Sequence, residues 1–169
     1  MTMGVRPFNS DEPIAYFITW TSYGTWLTGD ERGWRRRGEG GVQSPNELLV
    51  EMATSAMKET AFTLSANDRE TVEKTIARHC EVRGWTLFAV NARSNHVHIV
   101  ATAPGYDPKT VRDQLKAWCT RHLKKFHTVR ARFWTEGGSC RWINQEVDLE
   151  AAITYVKDAQ DQQTRRASE

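Results

Sequence analysis

The period of apolar and polar positions changes several times along the chain, and each change marks an element. Ile14 to Thr21 (Ile-Ala-Tyr-Phe-Ile-Thr-Trp-Thr) is aromatic and β-branched and predicts a first strand. No period fits residues 22–46, which hold six glycines and the run Arg35-Arg36-Arg37, so a long loop or insertion is expected there. Leu48, Leu49, Met52 and Ala56 are spaced for one face of a short helix over 46–59. Ser65-Ala-Asn-Asp68 has the form of a capping box. It opens a helix to about Arg83 with Val72, Ile76 and Cys80 on the inner stripe, stopped by Gly84. Trp85 to Asn91 reads as a second strand, Ala92 to Ser94 as a tight turn, and Asn95 to Ala103 as a third strand. Pro104-Gly105 and Asp107-Pro108 signal turns before a second long helix over about Lys109 to Phe126. A short strand near 139–144 follows. Asp148 then reads as the cap of a last helix, with Leu149, Ala152, Ile153 and Val156 as its buried stripe.

Without the insertion and the last helix, this order is the split βαβ pattern. The expected fold class is therefore α+β: a ferredoxin-like core with a four-stranded antiparallel sheet, helices on one face, and an added C-terminal helix. A length of 169 residues suits one domain over 1–169, with a basic, aromatic-rich insertion at about 22–60. Cys80, Cys119 and Cys140 are odd in number, widely spaced and without a Cys-x-x-Cys, which argues against a disulfide framework and a cysteine-based zinc site. The N-terminus lacks a basic-then-apolar signal and no apolar run approaches a membrane span, so a cytoplasmic protein with no membrane partner is expected. Net charge is only +2, so the total does not announce nucleic acid and the distribution has to be read instead.

Asn95-His96-Val97-His98-Ile99-Val100 is the most chemically suggestive stretch. Residues two apart on a strand share a face, so His96 and His98 stand side by side and can grip one divalent cation. The plain alternative is an exposed strand face with two histidines and no metal. Tyr155 lies on the last helix but off its apolar stripe. It is either an amphipathic surface residue or a nucleophile, which a phenol becomes only when its target is activated. A metal at the histidines would polarise a phosphoryl oxygen.

Basic residues concentrate where aromatic ones do. Residues 109–132 hold eight Lys/Arg and one acid. On that helix Val111, Leu115, Trp118, Cys119 and Phe126 are expected to share the core face, and Lys116, Arg121, Lys124 and Lys125 to lie outside it as a phosphate track or an ordinary solvated face. His122 falls on the apolar face and reads as a core histidine. The insertion interleaves Trp20, Tyr23, Trp26 and Trp34 with Arg32, Arg35, Arg36 and Arg37. Aromatics stack on bases and arginines pair phosphates, which makes Trp34, Arg35, Arg36 and Arg37 candidate contacts to single strands. Alternatively, Trp20 and Trp26 are core and the arginines a solvated turn.

With its Asn-His-x-His strand and a lone tyrosine on a helix near the C-terminus, the chain resembles the HUH single-tyrosine transposases: the insertion-sequence and REP-associated tyrosine transposases. The likeness spans about residues 14–162 in element order and is strongest over Thr86–Val100 and Arg132–Gln160. The resemblance implies cleavage and strand transfer of single-stranded or hairpin DNA through a 5′-phosphotyrosine intermediate. It implies Tyr155 as nucleophile, His96 and His98 as ligands of Mg²⁺ or Mn²⁺, and a monomer or homodimer acting on DNA. The family commonly places a third ligand, Gln or Asn, one helical turn after the tyrosine. Here Ala159 stands at that place and cannot coordinate a metal. Gln160 has the right chemistry one residue later and would need a frayed or π-type turn; Asp158 is the second choice. That departure keeps open a catalytically weak or inactive, domesticated binder of DNA hairpins. An unrelated metal hydrolase is a third reading, but it needs a carboxylate converging on the histidines.

Overall fold

The computed structural model describes residues 12–159. Its strands are β1 (Ala15–Thr21), β2 (Thr86–Ala92), β3 (His96–Thr102) and β4 (Ser139–Ile143), and its helices α1 (Glu47–Ala56), α2 (Ala66–Arg83), α3 (Pro108–Leu123) and α4 (Glu146–Thr154). Residues Tyr155–Ala159 continue α4 as a π-type turn. The strands form one antiparallel sheet in the order β2-β3-β1-β4. This is the split βαβ arrangement expected from the sequence, and the fold class is α+β.

Strand alternation sorts side chains onto two faces. Tyr16, Ile18 and Trp20 of β1 and Val97, Ile99 and Ala101 of β3 enter the larger core with Val72, Ile76 and Cys80 of α2 and Val111, Leu115 and Cys119 of α3. The other face carries Ala15, Phe17, Ala89, Val100 and Ile143 under Leu149, Ala152, Ile153 and Val156. Thus α2 and α3 cover one face, and α4 with its π turn covers part of the other. Val156 is fully buried, which is worth about 1.5–3 kcal/mol and fixes the helix end to the sheet.

Local signals explain most boundaries. The Ser65 hydroxyl accepts from the Asp68 N–H and the Asp68 carboxylate accepts from the Ser65 N–H, the reciprocal box that starts α2. Gly84 ends that helix in the left-handed region (φ 69°). Asp107 caps α3 through the Lys109 N–H, and Pro108 occupies its first position. Gly138 (φ 139°) brings the chain into β4 where an added Cβ would lie 2.6 Å from the Thr19 carbonyl oxygen.

Several expectations need correction. α4 begins at Glu146 with Gln145 as its unassisted cap, so Asp148 sits in its first turn and is not the cap. Leu48 and Met52 are exposed on α1, whose short length gives the helix no buried residue. Trp118 and Phe126 are exposed too, because the closest approach of α2 and α3 buries only Val111, Leu115, Cys119 and Leu123 of that side. His122 is half-buried beside them and is not a core residue.

Candidate active site

His96 and His98 project from β3 onto the face shared with α4, and their ring centroids are 4.6 Å apart. A single line of directly opposed residues crosses the sheet there: Asn91 on β2, His98 on β3, Thr19 on β1 and Ser139 on β4. Two of these neighbours act on the site. Thr19 Oγ1 is 2.8 Å from His98 Nδ1, and Asn91 Nδ2 donates to the Val156 carbonyl at 2.9 Å. The first orients the imidazole; the second ties the π turn to the histidine strand.

Asn95 Oδ1 is 2.6 Å from His96 Nδ1. An amide oxygen only accepts, so Nδ1 carries the proton and the lone pair of the neutral ring resides on Nε2. A carbonyl or hydroxyl fixing Nδ1–H is the usual support of a histidine that ligates through Nε2. His98 is buried, and this desolvation, with the charges of His96 and Arg93 adding to it, pushes its pKa down to about 4. At neutral pH it is therefore the uncharged imidazole that a metal requires. The imidazole pair on one strand face could contribute two nitrogen ligands to a divalent cation.

Tyr155 is the first residue of the π turn and is 45% exposed. Its ring meets His98 edge-on at 5.8 Å and Phe17 edge-on at 6.1 Å, while Phe17 stacks flat on His98 at 5.7 Å. The three rings thus touch one another, and Phe17 packs against both the tyrosine and the imidazole. Arg141 stands directly opposite Phe17 on β4, exposed, with its charge at the margin of the same face. The sequence singled out the two histidines and the tyrosine, and the fold brings these three together within one chain. It passed over Asn91, Thr19, Phe17 and Arg141, whose roles depend on cross-strand register. A polar residue at the inner end of an otherwise apolar strand (Thr-Leu-Phe-Ala-Val-Asn-Ala) was the available signal for Asn91.

The remaining candidates divide. Asp158 is exposed, and no group of three or more His, Cys, Asp or Glu residues placed to hold a metal occurs among the described residues, so Asp158 does not join the histidines. Gln160 lies outside the described residues. Lys116 was expected on the outer face of α3. Instead it is half-buried, with Nζ donating to the carbonyls of Thr135 and Gly137 at 2.8 Å each, and it holds the loop that leads to β4. Trp34 is buried and its Nε1 donates to the Ser44 carbonyl, because the insertion folds back through a Trp34–Gln43 bridge. Both are engaged within the fold and also line open cavities, Trp34 beside Arg35 and Lys116 beside Trp134. Arg35, Arg36 and Arg37 are exposed, although Arg36 pairs with Glu39. Arg121 lies over Trp118 at 5.2 Å, and Lys124 and Lys125 are exposed on the turn after α3. Trp20 is core, whereas Trp26 is partly exposed beneath Arg32.

The fold and these side chains define an α+β domain of ferredoxin-like topology with an imidazole pair and a tyrosine gathered on one sheet face. The sequence profile of the family described as "Transposase IS200 like" matches residues 53–159, the span from α1 to the end of the π turn. The chain belongs to this IS200-like transposase family, a family of DNA transposition. Among solved structures it is similar to a REP-associated tyrosine transposase bound to a REP hairpin, at 14% identity and a TM-score of 0.48 over 92% of this chain and 70% of that one. It is also similar to a protein of Deinococcus radiodurans R1 assigned as a transposase, at 13% identity and a TM-score of 0.47 over 99% of this chain and 97% of that one. No curated protein matches the sequence. Among the described residues no helix is long and apolar enough to cross a membrane.

Proposed function

We propose that the protein cleaves and rejoins single-stranded DNA, including strands that fold into hairpins, with Tyr155 as nucleophile. One observation carries the reading: a half-exposed tyrosine lies 5.8 Å, ring to ring, from a neutral, buried histidine that is itself paired with a second histidine. In the proposed step the Tyr155 oxygen forms a bond to the scissile phosphorus while the bond from phosphorus to the 3′ oxygen breaks. The phenolic proton passes to solvent and the departing 3′ oxygen takes one up, leaving a free 3′-OH and a 5′-phosphotyrosine. Attack by another 3′-OH on the adduct reverses the exchange. One phosphodiester is broken for each one formed, so no nucleotide cofactor is needed.

A Mg²⁺ or Mn²⁺ held by His96 and His98 would supply positive charge to a non-bridging phosphate oxygen and so activate it toward attack. Gln160 is the proposed third ligand. The sequence required a π-type turn for Gln160 to serve, and the residues that precede it, Tyr155–Ala159, are wound in that way. Phe17 and Thr19 hold His98 in orientation, and Asn91 holds the backbone beside the nucleophile. Ala159, in the place where the resembling proteins commonly carry a ligand, is the observation that favours the second reading, a hairpin binder without turnover.

The test is a denaturing gel of the protein after incubation with Mn²⁺ and end-labelled single-stranded DNA taken from the flanks of its coding region, including any hairpin-forming repeat they contain. A labelled protein band is expected in the wild type and absent in Tyr155→Phe, with thermal stability within about 0.5 kcal/mol because the exposed ring is retained. His96→Ala and His98→Ala should lose the band while still binding DNA. A band that persists in Tyr155→Phe places the nucleophile elsewhere. No band in the wild type with any divalent metal makes the binder reading the better one.

A further inference from the structure

An open cavity of about 650 Å³ lies between the insertion and the strands β1 and β4. Its floor belongs to the histidine face. Thr19 and Thr21 line it, and they are the directly opposed partners of His98 and His96. Opposed residues of an antiparallel pair put their side chains on the same face, as the 2.8 Å contact between Thr19 Oγ1 and His98 Nδ1 shows. The wall is the insertion itself, and its backbone is held. Trp26 Nε1 donates to the Gly33 carbonyl, and the Trp34–Gln43 bridge closes the loop. At Gly33 (φ 90°) an added Cβ would lie 2.5 Å from Val42 Cγ1, so the turn packs its own backbone against that side chain. The volume is that of a ligand site.

The lining is chemically divided. Trp26 and Val42 contribute apolar surface and are 40% and 63% exposed. Arg32 covers one side of the Trp26 ring, 4.2 Å from its centroid, and is itself engaged by Asp30 and by the Thr25 carbonyl. The indole is therefore fixed in place with its N–H satisfied, and the surface it leaves open is hydrocarbon. Arg35 lines the cavity from an exposed stretch of the insertion and carries a permanent charge. Glu136, from the loop before β4, is the one acid among the described residues that line it. An unpaired nucleobase suits this set. Its flat ring stacks on the fixed indole, and its amino groups donate to the carboxylate, which repels an oxyanion. The phosphate then stays outside, where an arginine meets it.

We propose that this cavity takes the base of a nucleotide adjoining the scissile phosphate, stacked on Trp26, with Glu136 selecting bases that carry an exocyclic amino group and Arg35 holding a neighbouring phosphate. The cavity thereby chooses where along a strand the cut falls. Its place beside the cut rests on the reading of Tyr155 and the imidazole pair as the reacting centre, but the base contact can be measured without turnover. The occupant is part of a DNA strand and not a free nucleotide: Thr19 and Thr21 stand one strand over from the imidazoles, so a base seated above them carries its own phosphodiester toward the histidines. Adenine, cytosine and guanine present amino donors, and thymine does not.

The experiment uses the full chain and an oligonucleotide carrying a hairpin with a single-stranded flank, into which one abasic position at a time is placed. Binding is followed by fluorescence anisotropy. One flank position should weaken the wild type by about tenfold when its base is removed and should have little effect on Trp26→Ala. Thymine at that position should bind less well than the amino-bearing bases, and Glu136→Gln, whose amide both donates and accepts, should erase the preference. In Arg35→Gln the slope of log K against log salt should become less steep by roughly 0.7. Thermal unfolding is measured for each variant, and the exposed Glu136 keeps the test decisive if Trp26→Ala disturbs the insertion. The absence of a position-specific penalty, a thymine discrimination that survives Glu136→Gln, or an unchanged slope in Arg35→Gln overturns the proposal. Adduct formation is scored on the same strands, and a penalised position that does not adjoin the cut linkage overturns it too. An adduct without a position-specific penalty rejects the cavity and keeps the nucleophile; a penalty relieved in the variants, without an adduct, keeps the base site and rejects the nucleophile.

Discussion

Asn91 is the smallest unit on which the arrangement of this site depends. A π turn displaces the regular i→i+4 ladder, and the carbonyl of Val156 takes the Asn91 amide at 2.9 Å. Because Asn91 opposes His98, one side chain couples the strand that holds the imidazoles to the turn that begins with Tyr155. Asn91→Ala is expected to leave DNA affinity close to wild type and to lower the rate of adduct formation about tenfold to a hundredfold, the scale of a misplaced reacting group. Single-turnover rates measured at saturating DNA separate that outcome from a binding defect. An Asn91→Gln variant that partly restores the rate would locate the effect in the hydrogen bond, and equal losses in affinity and rate would refute a positioning role. The histidines and tyrosine were legible because their chemistry is rare in the chain and their spacing is local. Asn91, Thr19 and Phe17 were not, since each matters only through the residue it faces across a strand pair.

At the scale of elements, α2 is fastened at both ends by features written in the sequence, the Ser65–Asp68 box and Gly84. The structure adds a long-range partner: His127 Nε2 lies 2.8 Å from Asp68 Oδ1, beneath Phe62 and Phe133. Burial alone would raise the Asp68 pKa, but hydrogen bonds from His127 and Ser65 outweigh it and hold the carboxyl below its ordinary 3.8. A depressed carboxylate pKa means stability that is fully present above 3.8 and is lost as pH falls through the lower folded value. Asp68→Asn should therefore destabilise by about 1–2 kcal/mol at neutral pH, the scale of a lost cap, and the gap from wild type should close well below pH 3.8. Urea midpoints at two pH values read this directly, and a gap that persists in acid would mean that the carboxylate charge is not the cause. Element types followed from period and caps. The errors came where a helix met something distant. Trp118 and Phe126 satisfy the apolar spacing of α3 yet fall outside its closest contact with α2. Lys116 looks solvated until the 135–137 loop returns to accept its three-pronged donor.

The whole molecule is a two-sided sheet, and its charges are divided between the sides. Tyr155, His96 and His98 lie on the face under α4, while α2 and α3 cover the opposite face. Lys124 and Lys125 follow α3 on that far side, exposed, next to an open groove where Trp118, Phe126 and Val82 are also exposed. The lysines and the histidines are thus on opposite faces of the sheet, and a substrate would have to span both faces to meet them together. Neutralising both lysines should therefore weaken a hairpin-bearing substrate in a salt-dependent way and leave the cutting of a minimal strand alone. For Lys124→Gln with Lys125→Gln, the expected loss in hairpin affinity is about tenfold at low salt, shrinking as salt screens the remaining contacts. The rate of adduct formation on a strand without the hairpin should match wild type. Thermal unfolding of the variant is measured alongside, so a folding defect is recognised by its midpoint and not by a loss on either substrate. If the minimal strand suffers as much as the hairpin, the two faces do not act separately and the far-side lysines belong to the cleavage path. If neither changes, the basic end of α3 is a solvated surface, and hairpin binding has to be sought at Arg35, Arg36 and Arg37 of the insertion, which are exposed beside the buried Trp34.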